Sequence, residues 1–457
     1  MHRPGLSRQS SLPVLIFVVA LAGLALTFRA VVEGDGIGYY SYLHAVIVNH
    51  GLDFSAEYRA AEQAGVPLFP ALQSSRTPIG LLADFFAVGP AVLSLPAYLV
   101  AVLLHPSGAP QYGPPFVDAF AISSLFYGLL GLALINRTTR SWLAVVAVVG
   151  ATPFAYYLLF DPSYSHTFSV FAVALFLSVW LWVRQWESWT GWLLLGLLAG
   201  LMALTRWQDG LLAAVALLDI PRARWRVLLL IPGVVVAFAP QLAVDRALFG
   251  SWLPQRPAGQ ALTPFPGHYW EVLFSSFRGL FVWNPVTLVA TVGFFFVRDR
   301  TVRAACLLAF LLQIAINGML PDWSGGLAFG ARRFLDLAPF WALGIAALGQ
   351  RFGLRIIGTV VGVLVAWNVL LLAAFPYLLQ NGDPGYGGLV SAGLHGVRLL
   401  PRLFGHGTVG QALFFRRLLP NPPSIAEGVA LLLGQALCLV AVFVVLRWRT
   451  RGDTPGG

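Results

Sequence analysis

Apolar runs of about 20 residues, the length an α-helix needs to cross a bilayer, recur along almost the whole chain between short polar or arginine-bearing breaks. They fall at 12–32, 78–104, 116–135, 142–160, 166–183, 191–205, 208–220, 227–244, 280–297, 302–320, 334–350, 355–376 and 426–446. The pattern predicts an all-α polytopic membrane protein of about 12 transmembrane helices. One run is set apart: Pro78, Pro90 and Pro96 with Gly89 interrupt 78–104, which favours a re-entrant or interfacial segment. The short segments 191–205 and 208–220 meet at Thr205-Arg206-Trp207-Gln208-Asp209, read as the charged turn of a tight helical pair. A single long helix with an internal Arg206/Asp209 pair is the alternative.

Arginine placement is an independent check on the crossings. Clusters at Arg137/Arg140, Arg222/Arg224/Arg226, Arg298/Arg300/Arg303, Arg351/Arg355 and Arg447/Arg449/Arg451 separate apolar runs, as cytoplasmic orientation signals do. If 78–104 does not cross, every cluster falls inside and both termini are cytoplasmic. The 12–32 run, preceded by Arg3 and Arg8, is then a retained anchor rather than a cleaved signal peptide.

Composition supports the same class: 58% hydrophobic residues, 11% charged and a mean hydropathy of +0.76 exceed what a soluble fold of 457 residues hides. The formal charge of +10 comes from arginine alone and is spread as topology signals, which argues against a nucleic-acid partner. Cys306 and Cys438 lie inside apolar segments and are expected to pack rather than bind zinc or pair. No repeat or linker divides the chain. It is expected to fold as a core over 1–250, including the first outer loop 33–77, and a C-terminal membrane region over 251–457, with outer loops 321–333 and 377–425.

Polar chemistry concentrates in these outward loops. Glu33-Gly-Asp35-Gly-Ile-Gly-Tyr39-Tyr40 follows the first apolar run, where a carboxylate needs a partner or a task. Tyr39, Leu43, Val46 and Ile47 then share one helical face, which predicts an interfacial helix. Asp35 is expected to be catalytic, with glycines on both sides letting a bulky substrate approach; capping of that helix is the alternative. In the turn Asp161-Pro-Ser-Tyr-Ser-His166, Asp161 and His166 could form a second acid/base pair near the same surface, or Asp161 could cap a helix. Arg332 and Arg333, in a glycine-rich outer loop, run against the usual charge distribution; binding an anionic lipid phosphate is one reason, and pairing with Asp336, Asp322 or Asp209 another. The same argument extends to Arg206 and, more weakly, to Arg278.

These segments together resemble the GT-C class of membrane glycosyltransferases that use polyprenyl-phosphate sugars, such as protein mannosyltransferases and lipid A aminoarabinose transferases. The resemblance rests on GDGIGYYSYL, RTPIGLLADFFAVGPAVLSLPAYLVA, DPSYSHTFSVFAVALFLSVW, GLLAGLMALTRWQDGLLAAV, FSSFRGLFVWNP and DWSGGLAFGARRFLDLAPF, over about residues 30–345. It implies a GT-C-like fold in a bacterial inner membrane and an inverting transfer at the periplasmic face. Asp35 would be the general base and Asp161 the second acidic position. The lipid phosphate would be bound by residues among Arg206, Arg332 and Arg333; the substrate-binding residues expected overall are Glu33, Tyr39, Tyr40, His166, Arg206, Asp209, Arg278, Arg332 and Arg333. The donor would be a polyprenyl-phosphate sugar and the acceptor a glycolipid, polysaccharide or protein. A divalent cation, Mg or Mn, is compatible with the class, but no metal-ligand set stands out. The acidic motif departs from the family's adjacent pair of acids, and no large soluble domain is expected after the last span. A transporter or flippase, or a lipid-linked polysaccharide ligase or polymerase, is the rival expectation.

Overall fold

A computed structural model describes residues 27–400 and 403, apart from 106–109, 186–187, 257–260, 327 and 381. The expected anchor 12–32 therefore lies mostly outside the described residues, and the last apolar run 426–446, Cys438 and the Arg447 cluster lie wholly outside them. Among the described residues the chain is helical, and β-pairing is confined to an isolated bridge between Arg76 and Leu82. Five helical runs are long and apolar enough to cross a membrane: Phe116–Thr139, His166–Val183, Trp207–Phe249, Arg300–Gly318 and Leu354–Pro376. Most buried apolar side chains between Phe28 and Val361 form one contiguous cluster, which draws on both expected regions, and Trp283 and Phe329 join a second with Leu371 and Phe375.

We label the helices that position the site α1 (Gly36–Ile47), α2 (Ser55–Gln63), α3 (Gly89–Leu104), α4 (Phe116–Thr139), α5 (Trp142–Ala151), α6 (Phe154–Leu159), α7 (His166–Val183), α8 (Trp189–Thr205) and α9 (Leu230–Phe249). The series continues with α10 (Val286–Phe294), α11 (Arg300–Gly318), α12 (Ala338–Phe352) and α13 (Leu354–Gln380).

Neighbouring α4 and α7 run in the same direction. Ser124 Oγ meets Thr167 Oγ1 at 2.6 Å, and further along Thr138 Oγ1 meets Ser178 Oγ at 2.8 Å. The chain must therefore return between them, and α5 and α6 do so as one run broken at Thr152-Pro153. Pro153 has no N–H to continue the ladder, and the Thr152 hydroxyl accepts the Phe154 N–H at 3.2 Å. The 161–166 turn thus lies at the end where α4 begins, and Arg137 and Arg140 lie at the other.

After α8 the backbone at Arg206 is extended (φ −153°, ψ 117°), and a 3₁₀ run, Trp207–Asp219, heads back. The expected helical pair is formed, and the single long helix is not. Small residues allow α8 and α9 to approach closely: a Cβ on Gly196 or Gly233 would collide with the other helix's backbone. Arg184, just past α7, reaches Asp219 at 3.4 Å and Asp299 at 3.1 Å, and Phe296 packs on Phe352. These contacts bring the described arginine clusters, from Arg137 to Arg355, to one end of the molecule.

Of two surface expectations, one agrees with the structure and one meets a different arrangement. Helix α3 begins with Gly89 against the Leu204 carbonyl and places Tyr98 against Phe116 at the start of α4. Both contacts are at the end away from the arginine clusters, in keeping with a segment that does not cross. Helix α1 forms as expected but is enclosed by protein rather than lying on a surface: Ile37, Tyr40 and Ala45 are fully buried. Its glycines are the reason. A Cβ on Gly36 would collide with Ser163 and one on Gly38 with Phe86, so their absence lets the helix sink between the 161–166 turn and the loop before α3.

Candidate active site

A cleft of about 450 Å³ opens at the end opposite the arginine clusters. Asp35, Tyr39, His166, Arg206, Arg332 and Arg333 all line it, although nearly 300 residues separate the first from the last. Three local structures bring them together.

Gly34 adopts a left-handed conformation (φ 57°) that delivers Asp35 to the start of α1, and a side chain there would strike Tyr164. The Asp35 carboxylate makes no capping bond to α1. Instead Arg332 Nη1 donates to Asp35 Oδ2 at 2.6 Å, and no hydrogen bond to Oδ1 is made among the described residues. Arg332 also donates from Nε and Nη2 to the Gly325 carbonyl, at 3.2 and 2.8 Å, and lies over the Tyr164 ring. Burial works against its charge, but Asp35, Tyr164 and Tyr157 more than offset this and hold the guanidinium above its usual range.

Arg333 is paired with Asp322, and its carbonyl accepts Arg206 Nη1 at 3.5 Å. Arg206 also faces Asp209 at 4.0 Å. Asp209 is fully buried beneath the cleft, bonded by the Ser169 hydroxyl, and does not line it. Tyr39 accepts from Ser165 Oγ at 3.0 Å; burial, reinforced by Asp35, pushes its phenol up to about 12, so it remains a neutral donor. His166 packs between Tyr157 and Tyr164, and neither ring nitrogen has a hydrogen-bond partner among the described residues.

The remaining expected residues stand behind this surface. Asp161 does not cap a helix: its Oδ1 accepts from Ser163 Oγ at 2.8 Å, and Ser163 in turn accepts the Glu33 N–H at 3.3 Å. This ties the first loop to the 161–166 turn. Burial, with Glu33 nearby, pushes the Asp161 carboxyl well above the usual range, which favours its neutral, hydrogen-bonding form. Glu33 meets the turn through its backbone, its N–H and carbonyl both facing the Ser163 hydroxyl at 3.3 Å. Tyr40 points away from the cleft into a cluster with Tyr98, Tyr112 and Phe120, and its hydroxyl donates to the Gln111 carbonyl. Arg278 donates to the Ala328 carbonyl and stacks on Phe277 and Trp283, bracing the loop that carries Arg332; burial pulls its guanidinium down to about 10.

The cleft also holds residues that sequence reasoning missed. Arg256 lies over the Trp207 ring at 4.0 Å, and Gln208 and Gln255 stand beside it. Phe69, Phe85, Phe86 and Leu320 supply an apolar wall. Behind that wall buried Asp84 accepts the Phe86 N–H at 2.9 Å and the Tyr58 hydroxyl at 3.2 Å. Among the described residues no group of three His, Cys, Asp or Glu side chains converges as a metal site. Asp35 answers to a guanidinium instead.

Four guanidiniums and two carboxylates, Asp35 and Asp322, thus line one concavity beside an apolar wall. Such a surface suits an amphipathic anion. No protein-family model matches the chain, and no curated protein matches it significantly.

Proposed function

We propose that this chain is an integral-membrane glycosyltransferase that moves a sugar from a polyprenyl-phosphate donor to a cell-envelope acceptor, with inversion, at the outer face of a bacterial inner membrane. The observation that carries this reading is the convergence of Arg206, Arg256, Arg332 and Arg333 around Asp35 in a cleft with a phenylalanine wall. The arginines suit the donor phosphate, and the wall suits the first units of an isoprenoid chain. About 12 crossings follow if the two apolar runs outside the described residues also cross, since the described runs alternate in direction.

Asp35 Oδ1 takes the proton of an acceptor hydroxyl as that oxygen attacks the anomeric carbon. The bond from that carbon to the phosphate oxygen breaks, and the lipid phosphate leaves with the electron pair. Its growing charge is met by guanidiniums already fixed in place, so little reorganisation is needed as the reaction proceeds. Arg332 orients the base through Oδ2 and still has a further N–H for the phosphate.

Donor capture is tested by equilibrium binding of a labelled polyprenyl phosphate to the purified protein. Arg333→Gln is expected to weaken binding about tenfold, the effect of losing one charge-assisted contact. Unchanged binding in that variant would remove Arg333 from donor recognition.

A further inference from the structure

A second concavity, of about 490 Å³, lies at the other end of α7 and α8, roughly 27 Å along α7 from the cleft at 1.5 Å rise per residue. The proposed transfer uses none of its residues. Its floor is the buried pair of Arg184 and Asp219, 3.4 Å apart, with Arg184 also stacked on Trp180. Its wall is the turn Arg222-Ala-Arg224-Trp-Arg226 between the 3₁₀ run and α9.

The charges here are disposed differently from those of an ordinary orientation signal. Such arginines need only reach the headgroup layer from a convex surface. These three instead line a recess between helices. Asp219 is the one carboxylate lining it among the described residues, and it is already shared between Arg184 and Arg222. Arg224 makes no ion pair among the described residues. Arg222 is 67% exposed, so its guanidinium is open to an incoming ligand. The exposed indoles of Trp182, Trp189 and Trp225 stand at the same end, where amphipathic rings mark the headgroup level of a bilayer. A basic recess between helices at headgroup depth suits a phosphate ester.

We propose that this recess binds a phosphate group at the membrane face opposite the cleft, with Arg222 and Arg224 as its ligands and an anionic phospholipid as its source. Arg184 is committed to Asp219 and Asp299 and positions the floor. The inference stands apart from the transfer reaction, because it uses other residues and needs no donor.

The test is thermal unfolding of the full chain, delipidated in neutral detergent and titrated with phosphatidylglycerol, with phosphatidylcholine, or with inorganic phosphate. Phosphatidylglycerol is expected to raise the melting temperature of the wild type while phosphatidylcholine does not. Arg222→Gln with Arg224→Gln is expected to weaken that response about tenfold, whereas Arg298→Gln, an exposed charge at the same end, leaves it intact. Arg222→Lys alone, a milder change, should lose part of the response and covers the case in which the double variant fails to fold. Protection by inorganic phosphate that disappears in the same variants would keep the phosphate site and assign it to a soluble ester. Equal responses to both lipids with none to phosphate, or equal losses in Arg298→Gln and the double variant, would overturn the proposal.

Discussion

The two ends of this molecule are both rich in arginine, yet they treat it in opposite ways. At the cleft end, Arg206 and Arg332 are buried and each guanidinium is fixed by carbonyls and carboxylates. At the other end Arg184 is likewise buried, against Asp219, but the cluster arginines are not: Arg222 is largely exposed and Arg298 and Arg300 are open to the surroundings. Burying a guanidinium costs several kcal/mol unless its donors are met, so the cleft end bears an expense that mere topology does not require. The difference teaches that burial and partner geometry, rather than the count of positive charges, separate an arginine fixed inside the cleft from one left open to the headgroup layer or to an incoming ligand.

The sharpest way to break this comparison is to exchange one arginine at each end. Arg332→Ala is expected to lower sugar transfer by about 10²–10³-fold, because it removes both a phosphate donor and the partner of Asp35. Arg332→Lys should recover only part, since an ammonium cannot hold Gly325 and Asp35 through one planar fork. Arg222→Ala should leave the turnover within about twofold, as expected of a surface change. Steady-state rates with a synthetic donor check all three, and equal losses at the two ends would collapse the distinction.

A smaller effect sharpens the role of close packing at the cleft end. Gly36→Ala forces α1 away from Ser163 and is expected to cost about 1–3 kcal/mol of stability along with activity. Gly358 in α13 has open space around its Cβ position, and Gly358→Ala should be neutral or slightly stabilising. Melting temperatures in one detergent separate the two.

The last expected effect is one of pH. Burial pushes the Asp84 carboxyl up to about 8, partly opposed by its bonds from Phe86 and the tyrosines. The folded chain therefore keeps a proton that the unfolded chain releases above its ordinary value of 3.8, and stability falls as pH rises from there toward about 8. Asp84→Asn should flatten that dependence. It is expected to melt above the wild type at alkaline pH and close to it in mild acid; parallel pH profiles for the two proteins would refute the assignment.

Much of the fold was legible because its determinants are local. Apolar runs and Arg206 between two short runs act on their own neighbourhood: five runs became helices long and apolar enough to cross a membrane, and the chain turns at Arg206. Asp35, Arg206, Arg332 and Arg333 were legible for a related reason: a charge in an apolar chain needs an explanation wherever it lies. What sequence reasoning missed depends on tertiary contact. Tyr39 and Tyr40 are adjacent in sequence, but about 100° of helical rotation sends one to the cleft and the other to an aromatic core. The glycines of the first loop read as freedom around Asp35, whereas Gly36 and Gly38 serve close packing, which only the positions of Ser163 and Phe86 reveal. Arg256 and Asp84 gave no local signal, since one lies in a long loop and the other beside a broken helix.

The central claim is that Asp35, held by Arg332, is the base of a sugar transfer. It is tested most directly by following radiolabelled sugar from a panel of synthetic polyprenyl-phosphate donors into membrane acceptors, comparing purified wild type, Asp35→Asn and Asp161→Asn. The account predicts transfer by the wild type, transfer close to wild type by Asp161→Asn, and a loss of about 10³-fold or more in a folded Asp35→Asn, the scale of removing a general base. Transfer that survives in Asp35→Asn, or no donor consumption by folded wild type, would contradict it; the second result would favour transport over catalysis.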